Sequence, residues 1–326
     1  MQSFVLRTTS GGVSLGLEDV TSVDDGEVTV DLFHSALNFK DYLVAMPRSR
    51  VRRRDTLIMG VEAAGLVHSS ESPDFSVGDL VIIYGGAFGV GRDGGFTQRI
   101  SVPPALITTL DAATFTSRSA MIWGIAGYTA MASVLALEDH GLRHDHGSVL
   151  VTGATGGVGS LAVRLLHQRG YHVTAVTGSP QHEQWLRGIG AQNVIGRDEI
   201  GDRPERTLGS ERWSGAIDCV GGETLTHIIR TLRYGGAVAA SGLVGGNELG
   251  GTVYPFITRG VSLLGIDAVD TPAHLRQRVW DEIGRGDVNI EDLVERTLSL
   301  SEIAEGIDTI GRGATRGRWL VELTTP

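Results

Sequence analysis

Residues 148–170, SVLVTGATGGVGSLAVRLLHQRG, decide the fold. A short apolar strand, Val149–Thr152, runs into a turn that carries Gly153, Gly156, Gly157 and Gly159. The helix that follows sets apolar side chains at Val158, Leu161, Ala162, Leu165 and Leu166, the spacing of one buried face. Strand, glycine turn and helix in this order form the dinucleotide fingerprint. Small residues let the backbone approach a pyrophosphate, and the helix N-terminus meets it with unpaired N–H groups and the positive end of its dipole. In the G-x-G-x-x-G frame the first position is Ala154, followed by Thr155, Gly156, Gly157, Val158 and Gly159. A second strand, His172–Thr177, follows at once. The alternative is a tight turn that only packs helix on sheet.

Outward from this stretch, strands and helices alternate between about Ser119 and Gly260, with strands at 149–152, 172–177, 193–195, 215–219 and 236–241. That rhythm predicts a doubly wound parallel sheet. Residues 1–118 read differently: short β-like runs at Glu27–His34, Ala63–His68, Asp79–Tyr84 and Phe96–Val102 lie between turn signals such as Asp25-Gly26 and Ser72-Pro73-Asp74. They predict a compact barrel-like β domain. The segment 261–326 holds a strand (Val261–Ile266), helical patterns at Pro272–Ile283 and Leu300–Thr309, and a last strand (Arg318–Leu323), and is expected to complete the first domain.

Composition narrows the class. The 326 residues suit two domains, and 46 glycines are about twice the usual share of roughly 7%. A net charge of −10 argues against a nucleic-acid partner, because no basic field attracts phosphates. The N-terminal run MQSFVLRTTSGG does not read as a signal peptide, and no stretch is expected to reach the ~18 apolar residues of a membrane span. The single cysteine, Cys219, excludes an intramolecular disulfide and a cysteine-rich zinc site, and a cytoplasmic location is the default expectation. Of 28 basic residues, Lys40 is the sole lysine. A lysine kept amid such arginine bias points to a compact charge or proton carrier that arginine cannot replace; chance retention is the alternative.

A dinucleotide site specific for NAD usually places an acid about 20 residues past the glycine turn, on the ribose hydroxyls. Here the second strand ends Thr177-Gly178-Ser179, and no acid occurs from Ser160 until Glu183. Room for a 2′-phosphate is left, which predicts NADPH.

The β-rich start, the nucleotide half and the returning tail together resemble the medium-chain dehydrogenase/reductase superfamily, over the full chain. Within it the sequence is most similar to the NADPH-dependent acryloyl-CoA reductase group. The residues that carry this are Ser35–Asp41 (SALNFKD), Gly124–Met131 (GIAGYTAM), Ala136–Asp139 (ALED), Val151–Gly159, Arg197-Asp198-Glu199, Gly215–Asp218 (GAID), Tyr234–Ala240 (YGGAVAA), Pro255–Arg259 (PFITR) and Gly265-Ile266-Asp267. The resemblance implies an α/β chain with a GroES-like barrel domain and a Rossmann domain, usually dimeric. It also implies reduction of a carbon–carbon double bond conjugated to a thioester. The group carries Ser-Gly-Arg after the second strand and a later arginine; this chain has Ser179 in place of the first and keeps Arg197. Further cofactor contacts are implied at Phe39, Thr129, Gly242, Leu243, Val244, Arg259 and Arg318.

Zinc-dependent members of the superfamily need cysteine and histidine ligands, but the matching positions here are Asn38, Val61 and about Ile122, so no metal is expected. His144 and His146 read as solvated loop residues. Reduction of an enoyl thioester needs a donor at the developing oxyanion and a proton for the α-carbon. The candidates are Asn38, Lys40 and Asp41, with Tyr128 beyond them. The alternative gives Asp41 to a helix cap and Lys40 to solvent. Phe39 stands where the group often has tyrosine. Arg92 and Asp93 in GVGRDGG differ from the bulkier residues of the group and are expected to shape the acyl pocket. Five arginines, Arg48, Arg50, Arg52, Arg53 and Arg54, form a basic patch in an acidic protein. Arg52 and Arg53 are candidates for coenzyme A phosphates, against a solvated loop.

The expected activity is NADPH-dependent reduction of a short 2-enoyl-CoA, acryloyl-CoA first. Two alternatives stand beside it: a quinone or small-enone reductase on the same fold, and a nucleotide-binding sensor without turnover.

Overall fold

The computed structural model describes residues 1–200 and 207–324. The chain divides into two compact units, Met1–Ile125 with Ala268–Pro326, and Ala126–Asp267.

The second unit is built on a six-stranded sheet in the spatial order Asn193–Ile195, His172–Val176, Ser148–Val151, Trp213–Asp218, Leu232–Ala240, Ser262–Gly265. Every pairing in it is parallel. Numbered along the chain this is the doubly wound order 3-2-1-4-5-6, whose crossover direction reverses between Ser148–Val151 and Trp213–Asp218. A strand covered on both faces reads as a continuous apolar run, and Val149, Leu150 and Val151 are all buried. Leu150, Ala216 and Val238 from adjacent strands share one core cluster with Leu225, Ile228 and Ile229 of the helix Gly222–Thr231.

The first unit has two sheets around one core. A hairpin, Gln2–Thr9 with Gly12–Asp19, pairs with Thr56–Ile58. The larger sheet runs Val294–Leu298, Arg318–Glu322, Val28–Leu37, Glu62–Ser70, Leu80–Tyr84, Ile107–Thr109, and Arg99–Val102 also pairs with Val28–Leu37. The returning tail enters here in fixed antiparallel register, Trp319 opposite Leu37 and Glu322 opposite His34. Phe4, Leu32 and Phe96 from the start of the chain and Ile303, Trp319 and Val321 from its end belong to the same buried cluster.

Three expectations are corrected. The strand near 261–266 does not belong to the returning tail: Ser262–Gly265 hydrogen-bonds in parallel to Ala237–Ala240 and forms the edge of the nucleotide sheet, so the second boundary moves from 260 to 267. The first boundary, expected at 118, falls inside the helix Ser117–Asp139. That helix breaks at Gly124 (φ 50°, ψ −157°), a left-handed position, and the first unit ends one residue later. The same helix is long and apolar enough by composition to cross a membrane, contrary to the expectation that no stretch qualifies; 83% of its apolar window is buried, as in a core helix.

Candidate active site

The nucleotide turn takes the form its glycines require. Gly153 sits at φ 58° directly after the strand, and Gly156 caps the helix Gly157–Gln168. A Cβ on Gly159 would lie 2.8 Å from the Cα of Ala154 and would meet the Gly153 carbonyl, so only glycine allows the helix to pack on the turn. The first helical hydrogen bond runs from Ser160 N–H to the Gly156 carbonyl at 2.9 Å. The N–H groups of Gly157, Val158 and Gly159 therefore have no partner within the helix. Thr155, Gly156, Gly157 and Val158 are half-buried at this rim. Ala154 is corrected: it is fully buried, and its N–H bonds the Val176 carbonyl at 3.1 Å, so it underpins the turn rather than facing a nucleotide.

At the reversal point two strand ends are tied together. Thr152 Oγ1 donates to Asp218 Oδ1 at 2.6 Å, and Asp218 also accepts the N–H of Gly221 at 2.8 Å. Burial pushes the Asp218 carboxyl above the ordinary carboxylate range, against the hydrogen bonds from Thr152 and the backbone. Sequence reasoning missed this pair; a polar residue closing each of two apolar strands was the available signal. Beyond the strand ends, Gly242 lies so close to Cys219 that a Cβ would stand 2.6 Å from the Cys219 Cα. Leu243 and Val244 are 52% and 56% exposed on this loop. Ligands of open α/β sheets bind outside the carboxyl ends of the strands, where this loop and the glycine turn lie.

The end of the second strand meets an arginine. The Ser179 N–H bonds Thr177 Oγ1 at 2.9 Å, which curls Thr177-Gly178-Ser179. The exposed Arg197 guanidinium lies against Gly178, its Nη2 2.6 Å from where a Cβ would stand. Arg259 is half-buried, donates to the carbonyls of Arg230 (3.0 Å) and Gly209 (2.7 Å), and lies with its Nε 3.6 Å from Glu211.

In the first unit, Asn38 precedes the helix Phe39–Ala45. Asp41 is fully buried and accepts the N–H of Asn38 (2.8 Å) and of Val61 (3.1 Å). Burial pushes its carboxyl up to about 7, against the Asn38 hydrogen bond and with the help of nearby Glu62. Asn38 Nδ2 donates to Glu62 Oε1 at 2.7 Å, and Asn38 Oδ1 accepts from Arg318 at 3.2 Å. Asp41 is thus spent as a buried cap of this helix, and half-buried Asn38 is held between Glu62 and Arg318. Arg318 is corrected from cofactor contact to brace: 2% exposed, it donates to Glu62, to Asn38 and to the carbonyls of Ile122 and Met121. Glu62, which sequence reasoning missed, accepts the Ile125 N–H at 2.5 Å with its other oxygen. A lone carboxylate inside LIMGVEAAGLV, residues 57–67, was the signal.

The remaining candidates divide. Tyr128 is 1% exposed and Thr129 6%, both on the helix Ser117–Asp139. Phe39 packs against Tyr42 with ring centroids 5.5 Å apart and the rings tilted by 40°. Arg92 donates to the carbonyls of Asp25 (2.7 Å) and Ser101 (3.1 Å), and Asp93 accepts the N–H of Ile58 (3.0 Å); both are corrected to loop anchors. Arg52 is corrected to a helix cap, its Nη1 on the carbonyls of Val44 (2.6 Å) and Met46 (3.1 Å) at the end of Phe39–Ala45. Arg54 pairs with Asp24 at 2.5 Å. Lys40 stays in play. It is half-buried and lines a cavity of about 360 Å³ with Arg50, Val51, Arg53, Val90 and Asp270.

The family described as zinc-binding dehydrogenase matches residues 157–285. The putative quinone oxidoreductase YhfP of Bacillus subtilis is 40% identical over 328 residues, 99% of this chain and 98% of that protein. The chain belongs to the zinc-binding dehydrogenase family, within the medium-chain dehydrogenase/reductase superfamily. Among members of this superfamily, the acrylyl-CoA reductase AcuI of Ruegeria pomeroyi is 41% identical, covering 93% of this chain and 92% of that protein. The yhdH oxidoreductase of Salmonella enterica, solved in complex with NADP, superposes with a TM-score of 0.95 at 38% identity, covering 99% and 100% of the two chains. YhfP, solved with NAD bound, gives the same TM-score of 0.95 and covers 99% of each chain. Despite the family's description, the zinc positions do not fit the metal. Val61 has no donor, the Asn38 amide is held between Glu62 and Arg318, and Ile122 offers only a carbonyl that Arg318 already occupies.

Proposed function

We propose that the protein reduces the carbon–carbon double bond of a short 2-enoyl-CoA with NADPH, acryloyl-CoA being the first candidate. The full-length likeness to AcuI carries the reaction class, and the Arg197 guanidinium against Gly178 supports the choice of cofactor. In this reading Thr155 to Gly159 hold the pyrophosphate on the open N–H groups of the helix, and Arg197 pairs with the 2′-phosphate. Leu243 and Val244 cover the sheet end. NADPH, when bound, supplies a hydride. The β-carbon of the substrate accepts it, and negative charge develops on the thioester oxygen. The Lys40 ammonium stabilises that charge, and a proton passed through Lys40 or water reaches the α-carbon, so that one hydride and one proton saturate the bond. The homodimer implied by the resemblance is part of the proposal and is checked by light scattering.

The likeness to YhfP favours a second reading, reduction of a quinone or small enone on the same residues. NADPH oxidation measured side by side with acryloyl-CoA, crotonyl-CoA and a benzoquinone separates them. The first reading expects the highest kcat/KM with a CoA thioester. A preference for the quinone by tenfold or more selects the second, and no oxidation with any of the three leaves a nucleotide binder without turnover.

A further inference from the structure

The arginine patch is sorted by the structure into residues that hold the fold and residues that face a cavity. Arg52 and Arg54 are engaged, one on helix carbonyls and one on Asp24. Arg50 and Arg53 are exposed, and neither guanidinium has a hydrogen-bond or ion-pair partner among the described residues. Both line the cavity of about 360 Å³ that also contains half-buried Lys40. The backbone carrying them is tied by three sets of hydrogen bonds. Ser49 Oγ accepts the N–H groups of Val51 (3.1 Å) and Arg52 (2.9 Å). Arg52 fastens the segment to the helix Phe39–Ala45, and the Arg53 N–H donates to the Val90 carbonyl at 2.8 Å. Two exposed guanidiniums thus line the cavity together with half-buried Lys40 and one carboxylate, Asp270. In a chain of net charge −10 this is a local concentration of positive charge, which favours an anionic ligand.

We propose that Arg50 and Arg53 hold the diphosphate of a coenzyme A thioester at the cavity mouth, with the pantetheine arm directed inward past Val51 and Val90 toward Lys40. The proposal rests on the thioester reading above. Guanidinium forks suit phosphate oxygens, and a rim fixed in advance leaves little ordering cost on binding.

The test is calorimetric titration of the full-length protein with coenzyme A under saturating NADP⁺, for wild type, R50E/R53E and R48E. Arg48 is exposed on the same loop but does not line the cavity. R50E/R53E is expected to weaken coenzyme A at least tenfold and R48E by less than twofold. Pantetheine, which lacks phosphates, is expected to bind both variants as it binds wild type. Unchanged coenzyme A affinity in R50E/R53E overturns the anchor, as does an equal loss in R48E, which reports only a general field. A parallel loss of NADP⁺ affinity in R50E/R53E assigns the cavity to the dinucleotide and also overturns it. Wild type that reduces acryloyl-CoA while R50E/R53E binds coenzyme A normally removes the anchor alone. Wild type that neither binds nor reduces a coenzyme A thioester removes the thioester reading with it.

Discussion

Arg318 Nη2 meets Glu62 Oε1 at 2.9 Å with both side chains buried, and the pair closes the break in the helix at Gly124. Glu62 accepts the Ile125 N–H on one side of the break, and Arg318 donates to the carbonyls of Met121 and Ile122 on the other. A Cβ on Gly124 would stand 2.7 Å from Glu62 Oε1 and 2.8 Å from Arg318 Nη2, so glycine is needed for space as well as for its positive φ. Removing one partner strands the other as a buried charge, at a cost of about 3–5 kcal/mol. Arg318→Met is therefore expected to lower the thermal midpoint by several degrees, and Glu62→Met with Arg318→Met to lose less than the sum of the two single changes. Additive losses in calorimetry would mean the two residues do not act as a pair.

Asp41 sets a pH dependence of stability. Its carboxyl is moved from 3.8 up to about 7, chiefly by burial. A carboxyl whose folded value lies above its unfolded one keeps its proton longer in the folded state. The stability it contributes is full below about pH 4 and is lost as pH rises through about 7. Thermal midpoints of wild type, referred to those of Asp41→Asn, are expected to fall between pH 5 and about 7.5. A difference that stays constant across that range rules out titration of Asp41 there.

The placement of Arg197 predicts cofactor choice. Arg197→Ala is expected to weaken NADPH by about tenfold or more, the value of a charge-assisted phosphate contact, and to leave NADH within about twofold. Fluorescence titration of both cofactors reads this directly. Equal losses for NADPH and NADH would place Arg197 away from the 2′-phosphate.

Lys40 is the proposed donor to the developing charge. Lys40→Met is expected to lower kcat by about 10²–10³ while NADPH affinity holds within about threefold. Arginine should rescue only in part, because its planar fork cannot occupy the same point or release a proton. Near-normal turnover in both variants would make the lone lysine a compositional accident.

The nucleotide half was legible because its signals are local. The strand Ser148–Val151, the turn at Gly153 to Gly159 and the helix Gly157–Gln168 lie together in sequence, and Gly153 and Gly159 each have a steric reason. What the sequence hid depends on long-range partners. Arg52, Arg53 and Arg54 are indistinguishable as letters, and only the carbonyls of Val44 and Met46, the cavity wall and Asp24 separate them. Glu62 and Arg318 lie 256 residues apart, so neither announces the other. The strand Ser262–Gly265 reads as part of the tail until its pairing with Ala237–Ala240 is seen. The hairpin Gln2–Thr9 and Gly12–Asp19 was missed, although Ser10-Gly11 marks its two-residue turn.

In the proposed reaction hydride goes to the β-carbon of an enoyl thioester and a solvent-derived proton to the α-carbon. Mass spectrometry and NMR of the product of crotonyl-CoA, reduced with NADPH deuterated on its transferable hydrogen in ordinary water, test this directly. The expected product is butyryl-CoA carrying one deuterium, at C3 and none at C2. Deuterium at C2, or unreacted crotonyl-CoA while a quinone is consumed under the same conditions, would contradict it.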